Sequence, residues 1–104
     1  MSVLLEFAMF PTDRTESKSE YVGRIIEMID RSGVNYQLTP MGTIIETDSL
    51  EEALQVVQEA YALLQEDCNR VYSSLKIDIR KGKEDRLKQK ITSVESKIGR
   101  KVRH

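Results

Sequence analysis

A chain of 104 residues with 39% hydrophobic and 32% charged side chains has the make-up of one soluble globular domain, and no apolar run approaches the roughly 20 residues that cross a bilayer. With Cys68 the only cysteine and His104 the only histidine, an internal disulfide and a Cys/His zinc set are excluded, and a Cys-His catalytic pair is not expected. The net charge of −1 is unevenly spread: residues 1–69 hold 4 Lys/Arg against 13 Asp/Glu, and residues 70–104 hold 12 against 4. The two parts attract each other, within a subunit or between subunits.

At the N-terminus, "MSVLLEFAMFPTD" has no basic n-region, and Glu6 interrupts its apolar stretch. It reads poorly as a signal peptide, so a cytoplasmic location is expected. From Val3 to Phe10 the residues alternate, with Val3, Leu5, Phe7 and Met9 on one side and Leu4, Glu6, Ala8 and Phe10 on the other. Both sides are largely apolar, the pattern of a central strand covered on both faces; Pro11 ends it.

Ser17 and Glu20 have capping-box spacing, and Val22, Ile25, Ile26 and Ile29 form an apolar face, which predicts a helix over 18–31. Gly33 stands where a left-handed residue would stop it. Val34, Tyr36 and Leu38 alternate as a second strand; Ile44 and Ile45 belong to a third, after the turn "TPMG". A second capping box, Ser49 to Glu52, opens a helix whose Leu50, Leu54, Val57, Tyr61 and Leu64 recur at helical spacing and predict its core face. "RVYSSLKIDIRK" reads as a long fourth strand, with Val71, Leu75, Ile77 and Ile79 toward the core and Tyr72, Ser74, Lys76, Asp78 and Arg80 away from it. A third helix over 84–97 carries Leu87, Ile91, Val94 and Ile98, and the basic tail 98–104 is expected to fray.

The order β-α-β-β-α-β predicts a single α+β domain over 1–104, a ferredoxin-like plait with an added C-terminal helix. Such a plait carries its two helices on one face of the sheet and leaves Leu4, Ala8 and Phe10 on the other. Either the third helix or another subunit's sheet must cover them; the charge asymmetry and the long edge strand favour a homo-oligomer, with a tetramer expected.

The chain offers no catalytic constellation, so a binding role without catalysis is expected. Asp78 shares its strand face with Lys76 and Arg80 and reads as part of an ion-paired row. Residues 80–104 hold 10 Lys/Arg against 3 Asp/Glu without one aromatic, which argues against nucleic-acid binding. Glu46 closes the hairpin segment "NYQLTPMGTIIE", and two readings stand: a strand-end charge, solvated or bridged to the basic segment, or the polar anchor of a site. Pro40 and Gly42 shape the turn, glycine through positive φ or close backbone approach.

Ser32-Gly33, Tyr36, Leu38, Pro40-Met41-Gly42-Thr43 and Glu46, followed by Arg70-Val71 and Lys76-Ile77-Asp78 with Arg80, resemble the small thiamine-binding-protein family, single-domain relatives of tandem YkoF-type proteins. The resemblance implies a ferredoxin-like subunit that assembles through its sheets, usually as a tetramer, and binds thiamine or its hydroxymethylpyrimidine part without a cofactor. It points to Glu46, Thr43, Tyr36, Gly42 and Met41 as ligand-binding residues. A carboxylate can accept from an aminopyrimidine's exocyclic amine, a threonine adds a hydroxyl and a tyrosine a flat wall. The sequence departs from the family pattern at Thr47 and Asp67, where glycine is expected, and at Ala60-Tyr61, where His-Glu is common; these changes bear on ligand identity more than on fold. An oligomeric scaffold without a small ligand is the alternative.

Overall fold

The computed structural model describes residues 1–15 and 18–104, so the expected cap at Ser17 lies outside the described residues. The elements run β1 (Ser2–Pro11), α1 (Lys18–Ser32), β2 (Asn35–Thr39), β3 (Gly42–Thr47), α2 (Leu50–Gln65), β4 (Val71–Arg80) and α3 (Arg86–Ile98). One antiparallel sheet has the order β2-β3-β1-β4, the ferredoxin-like plait, with α3 added.

Alternation in β1 sends Val3, Leu5, Phe7 and Met9 beneath α1 and α2, where each is buried. They meet Tyr21, Ile25 and Ile29 of α1 and Ile45 of β3. The core face of α1 is therefore rotated toward Tyr21 from the expected stripe, leaving Val22 and Ile26 half-buried. Gly33 takes a left-handed φ of 80° just beyond the helix, as its position predicts. Ser49 caps α2, its hydroxyl accepting from the Glu52 amide at 3.2 Å.

Two expectations are corrected. The buried stripe of α2 is Ala53, Val56, Ala60 and Leu64; Leu50, Leu54 and Tyr61 are exposed. Alanines let the helix lie close on the sheet, and the larger residues are carried around to its flank. In β4, Leu75, Ile77 and Ile79 lie opposite Phe7, Leu5 and Val3 and share their sheet face, yet they are exposed because β4 is the sheet's edge and the helices cover it only in part, Val71 alone of its apolar residues packing against the core.

The other sheet face holds Leu4, Ala8, Phe10 and Ile44, all half-buried. α3 is held at one end of this face, with Leu87 and Ile91 half-buried but Val94 and Ile98 exposed. The tail is not frayed throughout: the Val102 amide donates to Glu95 at 2.8 Å and folds back on α3.

Candidate functional site

The β2–β3 hairpin is organised by Thr39. Its hydroxyl accepts from the Met41 and Gly42 amides at 3.2 and 3.1 Å and donates to the Gly42 carbonyl at 2.8 Å, closing the turn around Pro40. Gly42 does not take positive φ. Its role is close approach: a Cβ there would lie 3.0 Å from the Phe7 carbonyl oxygen of β1.

Beneath this hairpin, on the helix-covered side, lies a cavity of about 210 Å³. Phe7, Met9, Val22, Ile25 and Leu38 contribute apolar walls, and Thr43 and Gly42 line it from β3. Met41, 86% exposed at the hairpin tip, stands at its rim. An unbranched thioether there can adapt its shape to what enters.

The structure thus brings together three of the five expected site residues. Tyr36 shares the helix-side face, opposite Ile45, but its hydroxyl donates to the Asp30 carboxylate of α1 at 2.9 Å. That hydrogen bond, with partial burial, raises the Tyr36 phenol above its ordinary pKa. Glu46 is on the opposite face from Thr43, because one lies across from Leu4 and the other across from Phe7. A site containing both side chains does not form within one chain, since adjacent strand faces alternate.

Glu46 instead holds the start of α3. Its carboxylate accepts from the Ser2 hydroxyl at 2.6 Å, from the Arg86 amide at 2.9 Å and from the Leu87 amide at 3.2 Å. The helix's own cap residue, Asp85, has a left-handed φ of 53° and makes no side-chain capping bond. Glu46 supplies from β3 the acceptor that Asp85 does not. Burial pushes the Glu46 carboxyl up, but the hydrogen bonds from Ser2, Arg86 and Leu87, with the Arg86 charge, outweigh it and leave the group below its ordinary pKa.

Arg86 completes the anchor. Its guanidinium donates to the Ser2 hydroxyl at 2.9 Å, to the Ser2 carbonyl at 2.8 Å, to the Asp78 carbonyl at 2.7 Å and to the Asp78 carboxylate at 2.9 Å. The expected ionic row on β4 is therefore replaced by Asp78 with Arg86 and Lys76 with Glu6 at 3.9 Å. The sequence reading missed Arg86, Ser2 and Thr39. A signal was present for Arg86: a cation in the first turn opposes the helix dipole, so it needs a tertiary partner. Among the described residues no group of His, Cys, Asp and Glu is placed to hold a metal ion, and no helix is long and apolar enough to cross a membrane.

A four-stranded antiparallel sheet in the order β2-β3-β1-β4, with two helices on one face and a preset hairpin over a small apolar cavity, defines a ferredoxin-like α+β module. Residues 5–95 match the family model described as thiamine-binding protein, and the chain belongs to that family. A UPF0045 protein of Methanothermobacter thermautotrophicus is 39% identical over 83 residues, 79% of this chain and 84% of its own. A hypothetical protein of Methanocaldococcus jannaschii has a crystal structure that superposes with a TM-score of 0.78 at 35% identity, covering 89% of this chain and 95% of that one. A Thermotoga maritima crystal structure, described as a candidate thiamine biosynthesis/salvage protein, shares the fold with a TM-score of 0.76 at 24% identity, covering 90% and 99%.

Proposed function

We propose that the chain binds thiamine through its hydroxymethylpyrimidine half, or that half alone, without catalysing a reaction, in the cavity under the β2–β3 hairpin. The observation that carries this reading is the cavity itself: apolar walls, the Thr43 hydroxyl position and the Met41 rim meet in one place, inside a chain of the thiamine-binding family. At about 210 Å³ it is smaller than the roughly 300–1,000 Å³ of sites for drug-sized molecules. That size suits one heteroaromatic ring, with the rest of thiamine outside. Phe7 and Leu38 offer walls for the ring, Thr43 a hydrogen-bonding partner for a ring nitrogen or the amine, and Gly42 keeps the hairpin close to β1. In this reading Tyr36 braces β2 against α1, and Glu46 acts on α3 instead of on the ligand.

The proposal includes a homotetramer in the cytoplasm, where the buried Cys68 thiol stays reduced. Half-buried Leu4, Ala8, Phe10 and Ile44, with the exposed ends of α3, are the surface on which sheets of two subunits would stack. Calorimetric titration with hydroxymethylpyrimidine and with thiamine tests the ligand. Saturable, stoichiometric binding is expected, and Thr43→Val weakens it about 2- to 10-fold, the worth of one neutral hydrogen bond. Absence of heat with both compounds would favour the scaffold reading, in which assembly alone is the role.

A further inference from the structure

The charge asymmetry of the sequence is largely left standing by the fold. Among the described residues a single ion pair, Lys76 with Glu6, joins the acidic part of the chain (1–69) to the basic part (70–104); Arg24, Arg31, Arg86 and Lys101 pair with carboxylates of their own part. Some of the uncompensated positive charge collects in one place. Between the end of β4 and the first turns of α3, on the open face of the sheet, lies a hollow of about 390 Å³. Arg80 lines it from β4, Lys83 from the connecting segment, and Arg86 and Lys90, one helical turn apart, from α3; Asp78, Leu4 and Gln89 complete the lining.

Four cations share this hollow with one carboxylate, and that carboxylate is already engaged by Arg86 at 2.9 Å. Arg80, Lys83 and Lys90 make no ion pair among the described residues. Like charges around one hollow repel, and the fold gains nothing from holding them there. The two acids that precede α3 do not offset them: Glu84 is not in the lining, and Asp85 lines the hollows on other sides of the helix. Nor is the attraction that of a helix terminus, since the Arg86 and Leu87 amides donate to Glu46 and the Lys88 and Gln89 amides to the Asp85 carbonyl.

We propose that the hollow binds the phosphate group of a small molecule, as a free anion or as an ester, carrying two or more negative charges. The Arg80 fork matches two oxygens of a tetrahedral anion, Lys83 and Lys90 act as point charges, and the Gln89 amide adds a donor. Arg86 is a fixed wall. Its side chain is 11% exposed, and Nε, both hydrogens of Nη2 and one of Nη1 are bound to Ser2 and Asp78, which leaves one Nη1 hydrogen for a ligand oxygen. A phosphate dianion or a diphosphate balances the three unpaired cations more fully than a monocarboxylate does, and Leu4 offers apolar contact to the carbon part of an ester. The hollow and the hairpin cavity lie on opposite faces of the sheet, beside Leu4 and Phe7 respectively, so this binding stands whether or not the cavity holds a pyrimidine.

Calorimetric titration of the full chain with inorganic phosphate, diphosphate and glycerol 3-phosphate tests the site, at an ionic strength near physiological so that diffuse attraction is screened. Saturable binding of one equivalent per chain is expected for at least one probe. Arg80→Gln and Lys90→Gln are each expected to weaken it about 10-fold or more, the worth of a hydrogen bond to a charged group. Lys88→Gln removes the same charge from another side of α3 and is expected to change it by less than about 2-fold. All three positions are exposed, and the circular dichroism spectra of the variants should match the wild type. Tighter binding of glycerol 3-phosphate supports the proposal with an ester as ligand, and tighter binding of phosphate or diphosphate supports it with the free anion. Absence of saturable binding for all three probes at millimolar concentration, or a loss with Lys88→Gln equal to that with Lys90→Gln, would overturn it.

Discussion

β1 and β4 are neighbours in register from Ser2 opposite Arg80 to Pro11 opposite Val71, and both alternate aliphatic residues on the helix side. Leu5 is fully buried, and Ile77, directly across from it, is 43% exposed. The difference is positional: β1 is a central strand under two helices, and β4 is an edge that they cover only in part. Alternation states which side of a strand is apolar. Whether that side is covered depends on where the helices land.

The comparison predicts unequal costs. Leu5→Ala should lower unfolding free energy by about 2–5 kcal/mol, measured by urea denaturation, because its neighbours cannot collapse into the space. At protein concentrations low enough for single chains, Ile77→Ala should cost about 1 kcal/mol or less, since its side chain is already half in water. Equal costs would break the contrast.

On the opposite face the contrast is sharpened by Glu46, which accepts two backbone hydrogen bonds from the first turn of α3 and one from the Ser2 hydroxyl of β1. Glu46→Gln should weaken that attachment by roughly 1.5–3 kcal/mol, the range for hydrogen bonds to a charged group. Hydrogen exchange at Arg86 and Leu87 should then accelerate while the β1 amides remain protected. Acid should have the same local effect. Because the folded carboxyl titrates below its ordinary value, its contribution is fully present above the unfolded pKa and is lost as pH falls through the folded one. α3 is therefore expected to loosen on acidification, seen as faster exchange in its first turn.

The smallest effect is expected on the flank of α2: Leu54→Ala should change single-chain stability by no more than about 0.5 kcal/mol, whereas Leu64→Ala, at a fully buried position, should cost about 2–5.

Local sequence preferences sufficed for the element order and both faces of β1, because the Ser49–Glu52 capping spacing, Gly33 and strict alternation act within a few residues of themselves. The core stripe of α2 was misread for a physical reason. Leu50, Leu54, Val57 and Tyr61 give the stronger apolar period, but close helix-sheet packing selected Ala53 and Ala60. The hairpin was legible in Pro40 and Gly42; the cavity beneath it was not, since Phe7, Val22 and Ile25 come from distant parts of the chain. Glu46 was marked out by its place behind two isoleucines, and the reading that linked it to the basic segment is the one the geometry supports. Its partners are backbone amides of α3, which no charge pattern reveals.

The most direct test of the functional reading is a site-resolved titration: amide chemical shifts of the isotope-labelled chain followed while hydroxymethylpyrimidine is added. Saturable shifts concentrated at Phe7, Leu38, Met41, Gly42 and Thr43, with Glu46, Arg86 and Leu87 unmoved, are the expected result. Shifts centred on Glu46 and the first turn of α3, or none at millimolar ligand, would contradict it.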